Sequence, residues 1–306
     1  MIAGILRAFG ASLRARTPDE RVAAAVGIER AAARLTSKRI ELREGPVFYL
    51  EGGEGPVVVL LHGFGANKDN WNRLARHLVK SHRVIVPDLP GFGESFKRPE
   101  LRYDIDAQVQ RLHELVAALG LETFALGGNS MGGYIAGVYG ATYPERATEL
   151  WLLDPLGVQR APASPMFSAV IAGERAVVLA GSQREYGELL DAVFVSRPFV
   201  PGFVLDVLAQ HAVADFQLHS EIFGQMHPLR DGEITFERPL EEELSDYSGR
   251  VLVIWGDGDA ILHPGGADVL REVLPDADVQ IFEGVGHLPM MEAPRRTARA
   301  IKAFAR

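Results

Sequence analysis

Short continuous runs of apolar residues recur along the chain, separated by stretches in which apolar residues follow helical spacing. A short apolar run between turn residues is typical of a strand that is buried on both faces. Such runs predict strands at 57–61, 83–87, 124–126, 150–153, 251–255 and 279–282. Helical spacing predicts helices at 107–119, 131–143 and 266–274, and from 294 onward. Repeated alternation of strand and helix predicts an α/β fold with a mostly parallel central sheet and helices on both faces.

Two segments depart from this alternation. The first precedes every predicted strand, and Thr17 followed by Pro18 is typical of a helix start. The second is mainly helical in pattern and contains seven of the fifteen phenylalanines of the chain. The predicted domains are therefore an N-terminal helical arm at 1–36, a core at 37–155 and 249–306, and a helical cap inserted at 156–248. Such a cap would have an apolar underside, although many of its rings are expected to pack within the cap itself.

Composition and charge narrow the class of function. Hydrophobic residues make up 47% and charged residues 24% of the 306, which is ordinary globular composition and excludes a disordered chain. The formal net charge is −8, which argues against nucleic acid as a partner because phosphate binding needs a positive field. The chain has no cysteine, which excludes disulfides, thiolate metal sites and a cysteine nucleophile. Because no HExxH motif or carboxylate-rich loop occurs, we expect neither a metal nor another cofactor.

The first sixteen residues carry an apolar stripe at helical spacing with arginines among and after it. The apolar residues of the stripe are Ile2, Ile5, Leu6, Phe9 and Leu13. This pattern predicts either an amphipathic helix on a membrane surface or a helix that packs on the core. No apolar run reaches the about 18 residues of a membrane span, and Arg7 interrupts the segment before a signal-peptide core can form. We therefore expect a cytoplasmic protein, with residues 1–16 as the candidate for peripheral membrane contact.

The clearest chemical motif follows the predicted strand at 124–126. There the sequence Gly128-Asn129-Ser130-Met131-Gly132 leads directly into a predicted helix. Gly-x-Ser-x-Gly between a strand and a helix is the nucleophile elbow, a strained turn in which bulky neighbours would clash. The turn presents the Ser130 hydroxyl at the sheet edge, above a helix start whose free N–H groups favour a developing anion. Ser130 is therefore the predicted nucleophile.

Partners for a serine nucleophile follow three other predicted strands. His287 can accept the serine proton near neutral pH, and a carboxylate can fix its tautomer. Asp259 is the predicted carboxylate, while Asp257 and Asp154 remain alternatives that only geometry can decide. The predicted oxyanion hole consists of the backbone N–H groups of Phe64 and Met131. His62 is expected to order the oxyanion loop rather than to take part in the chemistry.

These motifs resemble the α/β-hydrolase superfamily and, more narrowly, the monoacylglycerol lipase and esterase branch that includes bacterial family V lipases. The matching segments are HGFGANKDNW (62–71), PDLPGFGES (87–95), GNSMGGYIAGVYGATYPE (128–145), WGDGDAIL (255–262), GADVL (266–270) and GVGHLPMMEAPR (284–295). The resemblance implies that Ser130, Asp259 and His287 form a catalytic triad. It also implies a small-molecule acyl ester as substrate, with its apolar chain under the cap. A serine carboxylester hydrolase is therefore the expected activity.

Two other functions remain open at this stage. The elbow GNSMGG also occurs in serine hydrolases that cleave C–C bonds of aromatic ring-fission products. Those relatives usually carry tryptophan after the histidine, where this chain has Leu288. A non-catalytic ligand-binding protein on the same fold is the second alternative, which an intact set of serine, histidine and aspartate disfavours.

Overall fold

A central sheet organises the chain in the computed structural model, which describes residues 17–305. The strands are β1 (Thr36–Leu42), β2 (Gly45–Gly52), β3 (Val57–Leu61), β4 (Arg83–Pro87), β5 (Phe124–Asn129), β6 (Ala147–Leu153), β7 (Leu229–Arg230), β8 (Glu233–Ile234), β9 (Arg250–Gly256) and β10 (Asp278–Phe282). Eight of them form one sheet in the order β1-β2-β4-β3-β5-β6-β9-β10, and β7 pairs with β8 in a separate hairpin. From β4 to β10 all neighbours in the large sheet are parallel. The α/β fold with a mostly parallel sheet is thus confirmed.

All six predicted strands are present, with ends that differ by at most a few residues. The central strand β3 is buried over Val58–Leu61, as expected for a strand covered by helices on both faces. The sequence pattern did not predict β1 and β2, which pair antiparallel at one edge of the sheet. Strand β1 is exposed along most of its length, so it carries no apolar run that could have marked it.

Helices cover both faces of the sheet and fill the connection between β6 and β9. They are α1 (Pro18–Ala32), α2 (Asn72–Leu78), α3 (Ile105–Ala118), α4 (Met131–Thr142), α5 (Pro165–Ile171), α6 (Gln183–Val193), α7 (Gly202–Ala214), α8 (Phe216–Met226), α9 (Leu240–Glu243), α10 (Gly266–Val273), α11 (Pro289–Glu292) and α12 (Pro294–Phe304). Helix α1 begins with a reciprocal capping box between Thr17 and Glu20. It packs outside the sheet, where Val22 contacts Val204 and Val207 of α7. The segment 1–16, for which the sequence leaves open membrane contact or packing on the core, lies outside the described residues.

The residues between β6 and β9, which we call the insertion (156–248), contact the loops at the carboxyl ends of β3 and β4. Gln225 in α8 accepts a hydrogen bond of 2.5 Å from the backbone N–H of Tyr103. Ile222 packs so closely on Gly91 that a Cβ there would lie 2.7 Å from its Cδ1. The carboxyl edge of a parallel sheet is where ligands bind in such folds. The insertion therefore contacts the edge at which the predicted site residues cluster.

Candidate active site

Ser130 occupies a strained turn between β5 and α4. Its backbone has φ 55° and ψ −120°, a conformation that non-glycine residues rarely adopt. The neighbouring glycines explain how the turn closes. A Cβ on Gly128 would lie 2.1 Å from the carbonyl oxygen of Gly132, and a Cβ on Gly132 would lie 2.3 Å from that of Leu61. The glycines of the motif are thus required by close backbone approach.

The two backbone N–H groups of the predicted oxyanion hole belong to residues next to Ser130 and to the loop that lies against it. A Cβ on Gly63 would lie 3.2 Å from the Cβ of Ser130, so the loop after β3 lies directly against the serine. Within residues 17–305, neither the N–H of Phe64 nor that of Met131 donates to a protein acceptor. Donors left free beside a nucleophile are what an oxyanion hole requires. The Ser130 side chain is nearly buried, with 8% of the residue exposed.

His62 stabilises the loop that carries Phe64. Its ring is fully buried, its Nδ1 lies 2.8 Å from the carbonyl oxygen of Gly63, and its Nε2 accepts from the N–H of Leu89 at 2.9 Å. Burial lowers the pKa of His62, which favours the neutral ring that these two bonds require. His62 thus joins the loop after β3 to the loop after β4, as expected for an ordering residue.

A buried ion pair joins the same two loops a few residues further on. The Lys68 ammonium lies 2.6 Å from one carboxylate oxygen of Asp88, and the backbone N–H of Lys68 donates to the other at 2.7 Å. Both side chains are buried, and Glu94 lies at the solvent side of the lysine. Because removing the Lys68 side chain would leave the Asp88 carboxylate buried without a counter-charge, we expect this pair to fix the two loops relative to each other. No local motif marks this ion pair in the sequence.

The side chains of His287 and Asp259 lie in direct contact. Nδ1 of His287 lies 2.7 Å from Oδ2 of Asp259, and both residues are buried. The other carboxylate oxygen accepts from the N–H groups of Ile261 and Leu262 at 2.8 and 3.0 Å. This arrangement places the proton of the neutral ring on Nδ1 and leaves Nε2 as the acceptor.

Asn129 joins the serine turn to the histidine loop. Its side-chain amide donates to the carbonyl oxygens of Leu153 and His287 at 3.1 and 3.0 Å. The residue before Ser130 therefore contacts the backbone of His287 directly. No hydrogen bond joins the Ser130 hydroxyl to His287 within 17–305, and in free enzymes such bonds are often long. Only its position inside the motif marks Asn129 in the sequence.

The two alternative acids and His263 all lie in loops near the His287–Asp259 pair, but they have different hydrogen-bond partners. Asp257 accepts from the N–H of Gly284 on the exposed side of the loop, away from His287. Asp154 is fully buried, and one of its carboxylate oxygens lies within 4.8 Å of both Asp259 and the ring of His287. His263 accepts from the N–H of Gly265 and does not bond to the pair. The geometry thus favours Asp259 as the partner of His287, with Asp154 behind it.

Aromatic residues of the insertion enclose the Phe64 ring. It packs edge-to-face with His219 and Phe223 of α8, each at 5.7 Å between ring centroids, and with His227 at 6.3 Å. His227 stacks on Phe223 at 4.1 Å, and burial lowers its pKa to about 4. Burial likewise lowers the pKa of His219 to about 4. His219 and His227, which no sequence motif singles out, therefore pack as neutral rings against the predicted oxyanion loop.

A cavity of about 290 Å³ lies beside the serine turn. Its apolar lining includes Phe167, Ile234 and Phe236 of the insertion and Trp255 of β9. Pro155 also lines it, and the next residue donates its N–H to the carbonyl oxygen of Ser130 at 3.0 Å. Gln159, Glu233 and His263 add polar groups to this lining, and a cavity of mixed lining is typical of a small-molecule site. Ser130 and His287 are not among the lining residues, so the cavity adjoins the serine turn through Pro155.

No helix among residues 17–305 combines the length and the apolar character needed to cross a lipid bilayer.

Known proteins similar to this chain include lipases of bacteria and animals. Residues 56–186 match the family described as alpha/beta hydrolase fold. Lipase 1 of Psychrobacter immobilis is 37% identical over 283 residues, which cover 90% of this chain and 86% of that protein. Monoacylglycerol lipase ABHD6 of Mus musculus is 30% identical over 263 residues, which cover 82% of this chain and 76% of the relative. A solved structure of a bacterial membrane phospholipase A is 37% identical, covers 99% of this chain and 96% of its own, and superposes with a TM-score of 0.89.

Proposed function

The chain belongs to the α/β-hydrolase family, and from this premise we propose that it hydrolyses carboxylic esters of lipid acyl chains through an acyl-enzyme at Ser130. The single observation that carries this proposal is the hydrogen-bonded pair of His287 and Asp259. Asn129, the residue before Ser130, donates a hydrogen bond to the backbone carbonyl oxygen of His287 and so joins this pair to the serine turn. The names lipase, monoacylglycerol lipase and phospholipase A among its relatives support an ester hydrolase.

In the proposed first half-reaction, Nε2 of His287 takes the proton of the Ser130 hydroxyl as its oxygen attacks the ester carbonyl carbon. The carbonyl oxygen becomes an anion that accepts from the N–H groups of Phe64 and Met131. One such donor is typically worth about 10²–10³ in rate. As the tetrahedral intermediate collapses, the bond to the alcohol oxygen breaks and the imidazolium returns the proton to that oxygen.

In the second half-reaction, a water molecule takes the place of the departed alcohol. His287 removes one of its protons as the water oxygen attacks the acyl carbon of the acyl-serine. The bond to Ser130 then breaks, and the same proton returns to the serine oxygen, which regenerates the free enzyme. The carboxylate of Asp259 stabilises the imidazolium in both halves and keeps the ring in one tautomer.

The preferred substrates in this proposal are monoacylglycerols or esters with short to medium acyl chains. The cavity of about 290 Å³ supports this class, because its volume lies near the lower limit of roughly 300–1,000 Å³ typical of small-molecule sites. The apolar rings from the insertion would contact the acyl chain, and the alcohol part would remain nearer solvent.

Hydrolysis of a p-nitrophenyl and monoacylglycerol ester series by the wild type and Ser130→Ala tests the proposal. We expect an optimum at short to medium acyl chains and a loss of turnover in the variant of about 10³-fold or more. Equal turnover by the variant would contradict the proposal. Turnover of a ring-fission dienone without ester hydrolysis would instead select the C–C hydrolase, and ligand binding without any turnover would select a binding protein.

The role of the cavity can be tested separately from the chemistry. Ala161 lines the cavity, so Ala161→Phe would shorten it and move the optimum toward shorter chains. Ala172 lies at the exposed end of α5 outside the cavity lining, so Ala172→Phe is the matched control. An unchanged chain-length profile in the Ala161 variant would place the acyl chain elsewhere.

We also propose peripheral membrane contact through residues 1–16. The apolar stripe with its arginines and the similarity to a membrane phospholipase A support this part. Flotation of the full chain with anionic phospholipid vesicles should recover the wild type in the lipid fraction and leave Ile5→Glu/Phe9→Glu behind. The control Ala8→Glu should still float if the apolar face, rather than overall charge, is responsible. Equal recovery of all three proteins would contradict the membrane contact.

A further inference from the structure

One buried carboxyl group beside the predicted triad has no assigned role in the reaction. Asp154 is the first residue after β6, is fully buried, and has a backbone φ of 44°. Its backbone N–H donates to the carbonyl oxygen of Ile254 at 2.9 Å, and its Oδ1 accepts from the N–H of Gly256 at 2.8 Å. The side chain is thus anchored at the end of β9, next to the loop that carries Asp259.

The second carboxylate oxygen of Asp154, Oδ2, indicates the protonation state of this side chain. Within the described chain, Oδ2 is buried and receives no hydrogen bond from any donor. An ionised carboxylate with an oxygen in that state would be a buried charge without compensation. One oxygen of this side chain also lies within 4.8 Å of an oxygen of Asp259, whose carboxylate already accepts three hydrogen bonds. Two adjacent buried carboxyl groups can bond to each other only if one of them carries a proton.

The proton belongs on Asp154 because the two acids have different partners. Asp259 accepts from two backbone N–H groups and from His287, all of which favour its anion. Asp154 accepts from a single N–H group. Burial and the nearby charges of Asp259 and Glu292 raise the pKa of Asp154 well above its ordinary value, and the Gly256 bond opposes them only in part.

We propose that Asp154 is a positioning residue for the triad: as a neutral carboxylic acid it donates a hydrogen bond to Asp259 and holds that carboxylate against His287. This inference rests on the proposed function, since it assigns Asp259 and His287 their roles. A neutral donor keeps Asp259 in place without adding a second negative charge beside the imidazole. A hydrogen bond donated by Asp154 to Asp259 explains why this acid can be buried although no group donates to its Oδ2.

Asp154→Asn reproduces the neutral acid, because its amide can donate to Asp259 while its oxygen accepts from Gly256. We expect kcat/KM within about threefold of the wild type and an unchanged midpoint of the acidic limb of its pH profile. If Asp154 were ionised, the same substitution would remove a negative charge about 5 Å from the ring and lower that midpoint by about 2 pH units. A shift of that size would overturn the proposal.

Asp154→Ala removes the donor and should lower kcat by about tenfold with little change in KM, since the side chain touches no substrate. Asp257→Asn is the matched control, because it removes an exposed carboxylate two residues from Asp259 and should leave both constants unchanged. Wild-type kcat in the Ala variant would also overturn the proposal. Thermal melting of each variant separates loss of positioning from loss of fold.

Infrared difference spectroscopy provides a readout that does not depend on activity. At pH 7 the wild type minus Asp154→Asn should show the carbonyl band of a protonated carboxylic acid. Absence of that band would overturn the neutral assignment even if the Ala variant failed to fold. Failure of the proposed function would instead appear as turnover that survives Ser130→Ala, which leaves the infrared result unaffected.

Discussion

The buried histidine His227 predicts a specific loss of stability in mild acid. Its ring is 5% exposed, stacks on Phe223, and lies against the Phe64 ring of the predicted oxyanion loop. Burial lowers its pKa from 6.5 to about 4 in the folded protein. The unfolded chain therefore binds a proton at His227 between these two values while the folded chain does not, so the free energy of unfolding falls as the pH falls through this window.

The size of the effect follows from the same two values. A shift of about 2.5 pH units corresponds to about 3 kcal/mol once the pH is below both values. Between pH 7 and pH 4.5, most of that difference, about 2 kcal/mol, should already be lost. Above about pH 7.5 the histidine is almost entirely neutral in both states and should contribute little pH dependence.

The substitution His227→Gln removes the titration and keeps a polar side chain of similar length. Urea unfolding of the wild type and the variant at pH 7 and pH 4.5 measures the difference. We expect the variant to lose about 2 kcal/mol less than the wild type over this range. The control His211→Gln, at an exposed histidine, should follow the wild type. Parallel loss in wild type and His227→Gln would refute the assignment of a neutral buried ring.

Three further outcomes follow from the site. Gly128→Ala should destabilise the fold by about 2–4 kcal/mol or abolish activity, because the added Cβ would lie 2.1 Å from a backbone carbonyl oxygen in the first turn of α4. Gly187→Ala, where nothing lies within 4 Å of the added Cβ, should be neutral by comparison in a thermal melt. Lys68→Met should cost about 3–5 kcal/mol in urea unfolding because the buried Asp88 carboxylate keeps its backbone donors but loses its counter-charge, whereas the exposed Lys80→Met should change little.

The sequence predicted the central strands that are buried on both faces, because these are apolar throughout and end in turn residues, and it also predicted the partly exposed edge strand β10. Strands β1 and β2 escaped prediction for the opposite reason. They lie at the antiparallel edge of the sheet, and the outermost, β1, is mostly exposed and polar, so it has no continuous apolar run. The helix start at Thr17 was predictable because a capping box is a local feature of four residues.

The site was predictable as far as local motifs determine it. The motif Gly128-x-Ser130-x-Gly132 by itself predicts a strained turn. The loops with Asp259 and His287 each follow a strand that an apolar run predicts. Contacts between distant segments could not be predicted. The packing of α8 against the Phe64 ring depends on how the insertion folds back, and no spacing in the sequence encodes that.

The protonation of Asp154 also lies beyond a sequence pattern, because it depends on which donors surround each carboxyl group in the folded state. The sequence analysis could only place Asp154 after a sheet strand as one of several acids. The structure separates them by hydrogen bonding, since Asp259 accepts from His287 while Asp154 bonds to the end of β9. The predicted domain limits stay predictions, because they too depend on contacts in the folded state. Thr36, which the prediction placed in the N-terminal arm, is the first residue of β1.

The most direct test of the central claim is a mass measurement of the wild-type protein after treatment with a fluorophosphonate ester. The account predicts one covalent adduct per chain, mapped by peptide sequencing to the oxygen of Ser130, with ester hydrolysis lost in step with labelling. Prior treatment with a short-chain ester substrate should slow the labelling. An adduct on a different residue, or hydrolysis that continues unchanged in the fully labelled protein, would contradict it.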